Sequence, residues 1–120
     1  MQVSKRSVSP VLKKQIEKMC YQLIADIRTM EEAEVVLGSL ISETELTAIT
    51  KRLGVGYWLS NNRSYENIKE NLKVSSATIA GVQRELKKPE WQKVLQRVKA
   101  DEWATRWEEK IRQRIPLFRK

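Results

Sequence analysis

The sequence predicts an all-α fold of about six helices, and three observations carry that reading. Apolar residues recur at steps of three and four through most of the chain, and no stretch alternates with the two-residue period of a strand. Ser, Thr or Ser-Pro stands just before most of those stripes, often with Glu three residues on, as helix N-termini require. Between Ser64 and Leu86 two short stripes are separated by only Lys73-Val74-Ser75, the pattern of a helical hairpin.

Met1 to Val8 is polar and basic and reads as a loose arm. Ser9-Pro10 then starts a helix, with Ser as N-cap and Pro where no N–H is needed. Leu12, Ile16, Met19, Cys20, Leu23, Ile24, Ile27 and Met30 give that helix a wide apolar face, which must pack on the domain or on a second copy. Packing is the expected role of Met19, Cys20 and Met30, ahead of any ligand role. Thr29-x-x-Glu32 has capping-box spacing and opens a second helix through Val35, Val36 and Leu37, which Gly38-Ser39 should close. Ser42-x-x-Glu45 repeats the box. The third helix carries Leu46, Ile49, Leu53 and Tyr57 on one side and Ala48, Val55 and Leu59 on another. Gly54 and Gly56 interrupt it, each costing roughly 1 kcal/mol relative to Ala, which implies either close approach by a neighbour or a local break. Ser60-Asn61-Asn62 ends it.

In the hairpin, Ser64 caps a helix over 65–72 with Tyr65, Ile68 and Leu72 on its stripe. Ser75 or Ser76 caps a second over 76–86, with Ile79, Val82 and Leu86. Lys87-Lys88-Pro89 punctuates. The next helix has Trp91, Val94, Leu95 and Val98 on one side, a break or new cap at Ala100-Asp101-Glu102, then Trp103, Trp107, Ile111 and Ile115 before Pro116 stops it. One-face spacing favours packing for these tryptophans over stacking on single-stranded bases.

Composition narrows the function. The 120 residues include one cysteine and no histidine, which removes the usual zinc sets and the commonest general base, so neither metal nor cofactor is expected. Neither a Gly-rich phosphate loop nor a nucleophile–base pairing is visible, so the chain does not read as an enzyme. No apolar run approaches the length of a membrane span and no signal peptide is visible, so no membrane partner is expected. A lone cysteine fits a reducing cytoplasm. The net charge is +8 and unevenly placed. Residues 1–41 and 42–86 each hold six basic and five acidic residues, whereas 87–120 hold eleven and five. A basic segment beside a hairpin fits contact with phosphates.

The hairpin's second helix has the surface a major groove admits. Ser76, Ala77, Thr78, Ala80, Gly81, Gln83 and Arg84 are small or hydrogen-bonding, and the first carboxylate is Glu85. The plainer alternative is an ordinary αα-hairpin with a polar outer face. At the level of function, the alternatives to a sequence-specific DNA binder are an interaction module docking through the Trp-bearing C-terminal helix and a nucleoid-type binder without sequence preference.

From Leu40 to Lys87, ISETELTAITKRL and RSYENIKENLKVSSATIAGVQRELK resemble the bacterial Trp-repressor-like family, most closely its YerC/YecD-type branch. The resemblance implies a helix-turn-helix domain, here 1–88, followed by a basic Trp-rich helical extension, 89–120, in a cytoplasmic, nucleoid-associated homodimer that binds double-stranded DNA and regulates transcription. By position, Lys69 matches a phosphate- or base-facing lysine. Ser76, Ala77 and Ala80 match groove-facing residues, and Thr78 and Ile79 the start of the buried anchor. The expected DNA-binding set is Ser75, Ser76, Ala77, Ala80 and Gln83 toward bases, and Arg63, Lys69, Arg84, Lys87 and Lys88 toward phosphates or base edges. Two departures stand out. Lys73 occupies a turn position where many helix-turn-helices have glycine, so the turn is expected to differ slightly. Family members that take tryptophan hold it between two arginines. Arg52 is at the first of those positions but Gly81 is at the second, and Arg84, one turn farther along, is not expected to replace it. Tryptophan is therefore not expected as corepressor.

Overall fold

The computed structural model describes residue 3 and residues 5–114, with 103–114 described as helix backbone alone. Six helices follow in order among them: α1 Pro10–Ala25, α2 Met30–Leu40, α3 Glu43–Ser60, α4 Tyr65–Leu72, α5 Ser76–Glu85 and α6 Pro89–Arg114. The chain divides into two compact units, 1–48 and 49–120, the division falling within α3.

In the first unit the helix starts are made by side chains satisfying free backbone N–H groups. Ser9 Oγ accepts from the N–H of Leu12, with Pro10 in the first turn. Thr29 Oγ1 accepts from Glu32 N at 3.1 Å, and the Glu32 carboxylate accepts from Arg28 N, one residue ahead of the usual capping-box partner. Ser42 and Glu45 close a full box: Ser42 Oγ takes Glu45 N at 3.1 Å and Glu45 Oε1 takes Ser42 N at 2.9 Å. The backbone N–H of Ser42, and then its hydroxyl, hold the Glu45 carboxyl below its ordinary range. Two expectations are corrected here. The apolar stripe of the first helix outlasts the helix, because Asp26 caps it and Thr29 is already extended as the next N-cap; Ile27 lies in the connection and Met30 opens α2. Gly38-Ser39 does not close α2, which runs on to Leu40. Ser39 turns its hydroxyl back onto Val35 O at 2.7 Å, so it does not compete for the helix's forward bonds. Neither α1 nor α2 contains a buried residue; Met19, Tyr21, Met30 and Val35 are each about two-thirds or more exposed.

The second unit has a true core. Val55 from α3, Ile68 from α4 and Ile79 and Val82 from α5 are buried against one another, and Trp58, Leu59, Leu72, Val74, Leu86 and Trp91 pack around them. Of the two apolar sides expected for the third helix, the one with Val55 and Leu59 turns inward, while Ile49 is half exposed. Helix α6 buries Leu95, with Trp91 and Val98 half-buried, and leaves Val94 exposed. The Tyr57 hydroxyl donates to Glu102, tying α3 to α6 farther along. Helix α6 passes through Ala100-Asp101-Glu102 without the expected break. The side chains of Trp103, Trp107 and Ile111, together with Ile115 and Pro116, lie outside the described residues.

Helix α3 is unbroken at Gly54 and Gly56, and neither glycine has positive φ. Close approach is the reason for both. A Cβ on Gly56 would lie 2.6 Å from Trp91 Cζ3, and one on Gly54 would lie 3.3 Å from Leu72 Cδ1. Gly56→Ala should therefore destabilise the protein by about 1–3 kcal/mol through overpacking, despite alanine's better helix propensity. The cost should shrink when Trp91→Leu removes the ring, and urea unfolding of both single variants and the double variant measures that coupling.

Candidate nucleic-acid interface

The hairpin is assembled from both ends. Asn61 and Asn62 turn the chain out of α3, Asn62 with φ 62°, and Arg63 N donates back to Trp58 O at 3.1 Å. Ser64 Oγ caps α4 by accepting from Asn67 N at 3.1 Å. Ser75, not Ser76, caps α5: its Oγ accepts from Thr78 N at 3.1 Å and lies 2.9 Å from the Thr78 hydroxyl. Helix α5 ends at Glu85, with Leu86 as its C-cap.

The turn between them keeps the left-handed conformation, with Lys73 at φ 55°, ψ 52°. The slight difference expected from the missing glycine is not found. Such a conformation costs a non-glycine residue roughly 1–2 kcal/mol. Two hydrogen bonds hold it: Lys73 N donates to Lys69 O at 3.1 Å, and Lys51 Nζ, reaching from α3, donates to Lys73 O at 3.2 Å. Lys51 is a residue that the sequence reading missed, because nothing in its local pattern points across 22 residues to a turn.

Helix α5 separates its two sides cleanly. Ile79 and Val82 are buried, Ser76, Ala77, Gln83 and Arg84 are exposed, and Ala80 is half-buried. Thr78 is corrected: it is exposed at the cap, about 100° round the helix from Ile79, and forms no part of the buried anchor. Ala80, Gln83, Arg84 and Lys87 line one shallow depression of about 290 Å3. The N-terminal half of this face is thus slim, and the C-terminal half carries long donors. The four N-terminal N–H groups give the slim end a partial positive charge.

Not every expected residue is equally available. Arg63 lies 4.0 Å from the Trp58 ring centroid and donates to Asn67 Oδ1 at 3.2 Å, so it is pinned at the start of α4. Ser75 is committed to the cap. Lys88 pairs with Glu85 at 2.7 Å, and that carboxylate raises the ammonium's pKa. Lys69 and Lys87 are exposed. The Tyr65 hydroxyl donates to Gln83 Oε1, a cross-link between α4 and α5 that the sequence did not announce. The Arg63–Asn67 pair had a readable signal, its i,i+4 spacing on either side of a cap. The Trp58 platform under Arg63 had none.

Arg52 is exposed on α3 and Gly81 half-buried on α5. Arg84 folds back along its helix, one guanidinium nitrogen lying 3.8 Å from where a Gly81 Cβ would stand. The side chain therefore spans part of the turn that separates the two backbone positions.

A family model described as Trp repressor protein matches residues 14–99. The chain belongs to the Trp repressor family. The match reaches well beyond the block at 40–87, taking in α1, α2 and the first part of α6, so Trp91 and Leu95 are family territory and not an appendage. The Trp repressor family is one of helix-turn-helix DNA-binding regulators and not of enzymes. No individually curated protein and no solved structure matches the chain. Among the described residues no group of three or more His, Cys, Asp or Glu could hold a metal ion, and no helix is long and apolar enough to cross a membrane.

Proposed function

We propose that this protein is a sequence-specific, double-stranded DNA-binding transcriptional regulator that acts in the bacterial cytoplasm as a homodimer and needs no tryptophan. Residues 1–88 form its helix-turn-helix domain and 89–120 a helical extension. The observation that carries the reading is the exposed face of α5. Its capped end presents Ser76, Ala77 and Ala80, and its other end gathers Gln83, Arg84 and Lys87 round one depression. Small residues let a helix enter the major groove, and long donors beyond them meet base edges and phosphates. Ser75 sits at the mouth as the cap. Lys69, Lys87 and Arg84 supply charge; Arg63 and Lys88 reach phosphate only with the donors that their internal partners leave over.

Dimerisation follows from the first unit. Two helices with no buried residue cannot hold an apolar face in water by themselves. A second copy covers that face and sets the two reading helices roughly 34 Å apart, one turn of DNA. The absence of a tryptophan site follows from Gly81, which offers neither a flat face nor donors to an amino acid, and from Arg84, whose guanidinium already lies beside the gap.

Three outcomes are expected. Duplex affinity should fall steeply with salt, as phosphate contacts require, and Arg84→Ala and Lys69→Ala should each weaken it, Arg84→Ala by about 1–3 kcal/mol if it meets a base edge. Unchanged affinity in both variants would remove the groove assignment, and no duplex binding even in low salt would favour an interaction module. Light scattering at micromolar concentration should give twice the 14.0 kDa chain mass. Calorimetric titration of L-tryptophan should show no binding, and no gain in duplex affinity when it is added.

A further inference from the structure

We infer that Tyr65 is a positioning residue for Gln83, turning its amide so that the reading helix offers only donors at that point and takes guanine in preference to adenine. The inference rests on the DNA-reading role proposed above. A free glutamine is versatile at a base edge. Its carbonyl can accept from adenine N6 while its amino group donates to adenine N7, and that paired contact is the usual reason glutamine selects adenine. It needs both arms of the planar amide on the base at once. Here the Tyr65 hydroxyl donates to Gln83 Oε1 from α4. The oxygen and nitrogen of an amide point along opposite arms, so drawing the oxygen toward α4 turns the NH2 group away from α4. What remains to face a base is a pair of hydrogens and no acceptor.

The hydroxyl is well placed to do this. Tyr65 is the first residue of α4, directly after the Ser64 cap that binds Asn67 N, and two residues before the Asn67 side chain that holds Arg63. The ring is only 37% exposed, so its position is set by the surrounding protein. The neighbours of Gln83 point the same way. Ala80 has no polar group, Arg84 and Lys87 are donors only, and these residues share the depression with Gln83. The nearest carboxylate on the helix, Glu85, is paired with Lys88. Guanine suits such a surface, because its major-groove edge carries two adjacent acceptors, O6 and N7, and no donor. Adenine places its N6 donor against a surface with no acceptor to receive it.

The test is selection of bound duplexes from a random pool by the full-length protein and three variants. Gln83→Ala identifies the base pair that Gln83 reads, as the position whose preference is lost. At that position the wild-type protein should enrich guanine. Tyr65→Phe keeps the ring and removes the hydroxyl, freeing the carbonyl. The ratio of adenine to guanine should rise there by about tenfold, within the range for a paired base contact, with other positions unchanged. A merely structural Tyr65 would lower affinity for all sequences alike and leave that ratio alone. Gln83→Glu keeps an oxygen for Tyr65 and presents an acceptor outward, so guanine should give way to cytosine; it also serves if Tyr65→Phe does not fold. Adenine enriched by the wild-type protein, a Tyr65→Phe profile identical to wild type, or guanine retained by Gln83→Glu would each overturn the inference. A wild-type selection that enriches nothing would instead overturn the DNA-reading role beneath it.

Discussion

The packing of Ile68 with Ile79, Val82 and Val55 is the contact on which the hairpin depends. Helices α4 and α5 have 8 and 10 residues, too few to hold helical structure alone in water. Their caps satisfy the first-turn N–H groups but add only about 1 kcal/mol each. Burial of these aliphatic side chains, each contributing about 1.5–3 kcal/mol, decides that the two helices exist and at what angle they meet. Once Ile79 and Val82 are fixed inward, the helical period places Ser76, Ala77, Gln83 and Arg84 outward without further instruction.

That core is closed by an aromatic ring set on a glycine. Trp91 lies where any side chain on residue 56 would be, so α3 accepts a poor helix former to let α6 come close. The Tyr57–Glu102 bond continues the same seam. This explains why the family match runs through residue 99: the start of α6 completes the core that holds the hairpin. The first unit has nothing comparable. Its helices are well capped yet bury no residue, which is the arrangement of a surface made to be covered.

Electrostatics at the hairpin are more selective than a count of cations suggests. Of the basic residues there, Arg63 is stacked on Trp58, Lys51 holds the turn and Lys88 answers Glu85. Each such bond fixes a side chain and removes part of its capacity for another partner. What is left outward is a short set of donors on α5 and at its end, with Lys69 on α4. A reading surface gains selectivity when its groups are held in place and lack the freedom to adapt.

Much of this was determined by the sequence itself. Helix starts at Ser9, Thr29, Ser42 and Ser64 follow from residues within four positions of one another, and the stripe of Ile68, Ile79, Val82 and Leu86 from a period of 3.6. Local hydrogen bonds and periodicity need no knowledge of the rest of the chain, and the hairpin block was specific enough to suggest its family. Helix ends were less legible. Gly38-Ser39 and Ala100-Asp101-Glu102 resemble stops, yet each weak former sits inside a helix that propagates through it, because extending a helix costs far less than starting one. The tertiary structure alone decided the rest: the left-handed Lys73 held by Lys51, Gly56 beneath Trp91, Arg63 on Trp58 and Tyr65 on Gln83. Three of these join residues that are distant in sequence, and the fourth needs the chain to double back at Asn62. Such contacts depend on the angles at which helices meet, and those angles are set by the packed core, which no local pattern of residues encodes.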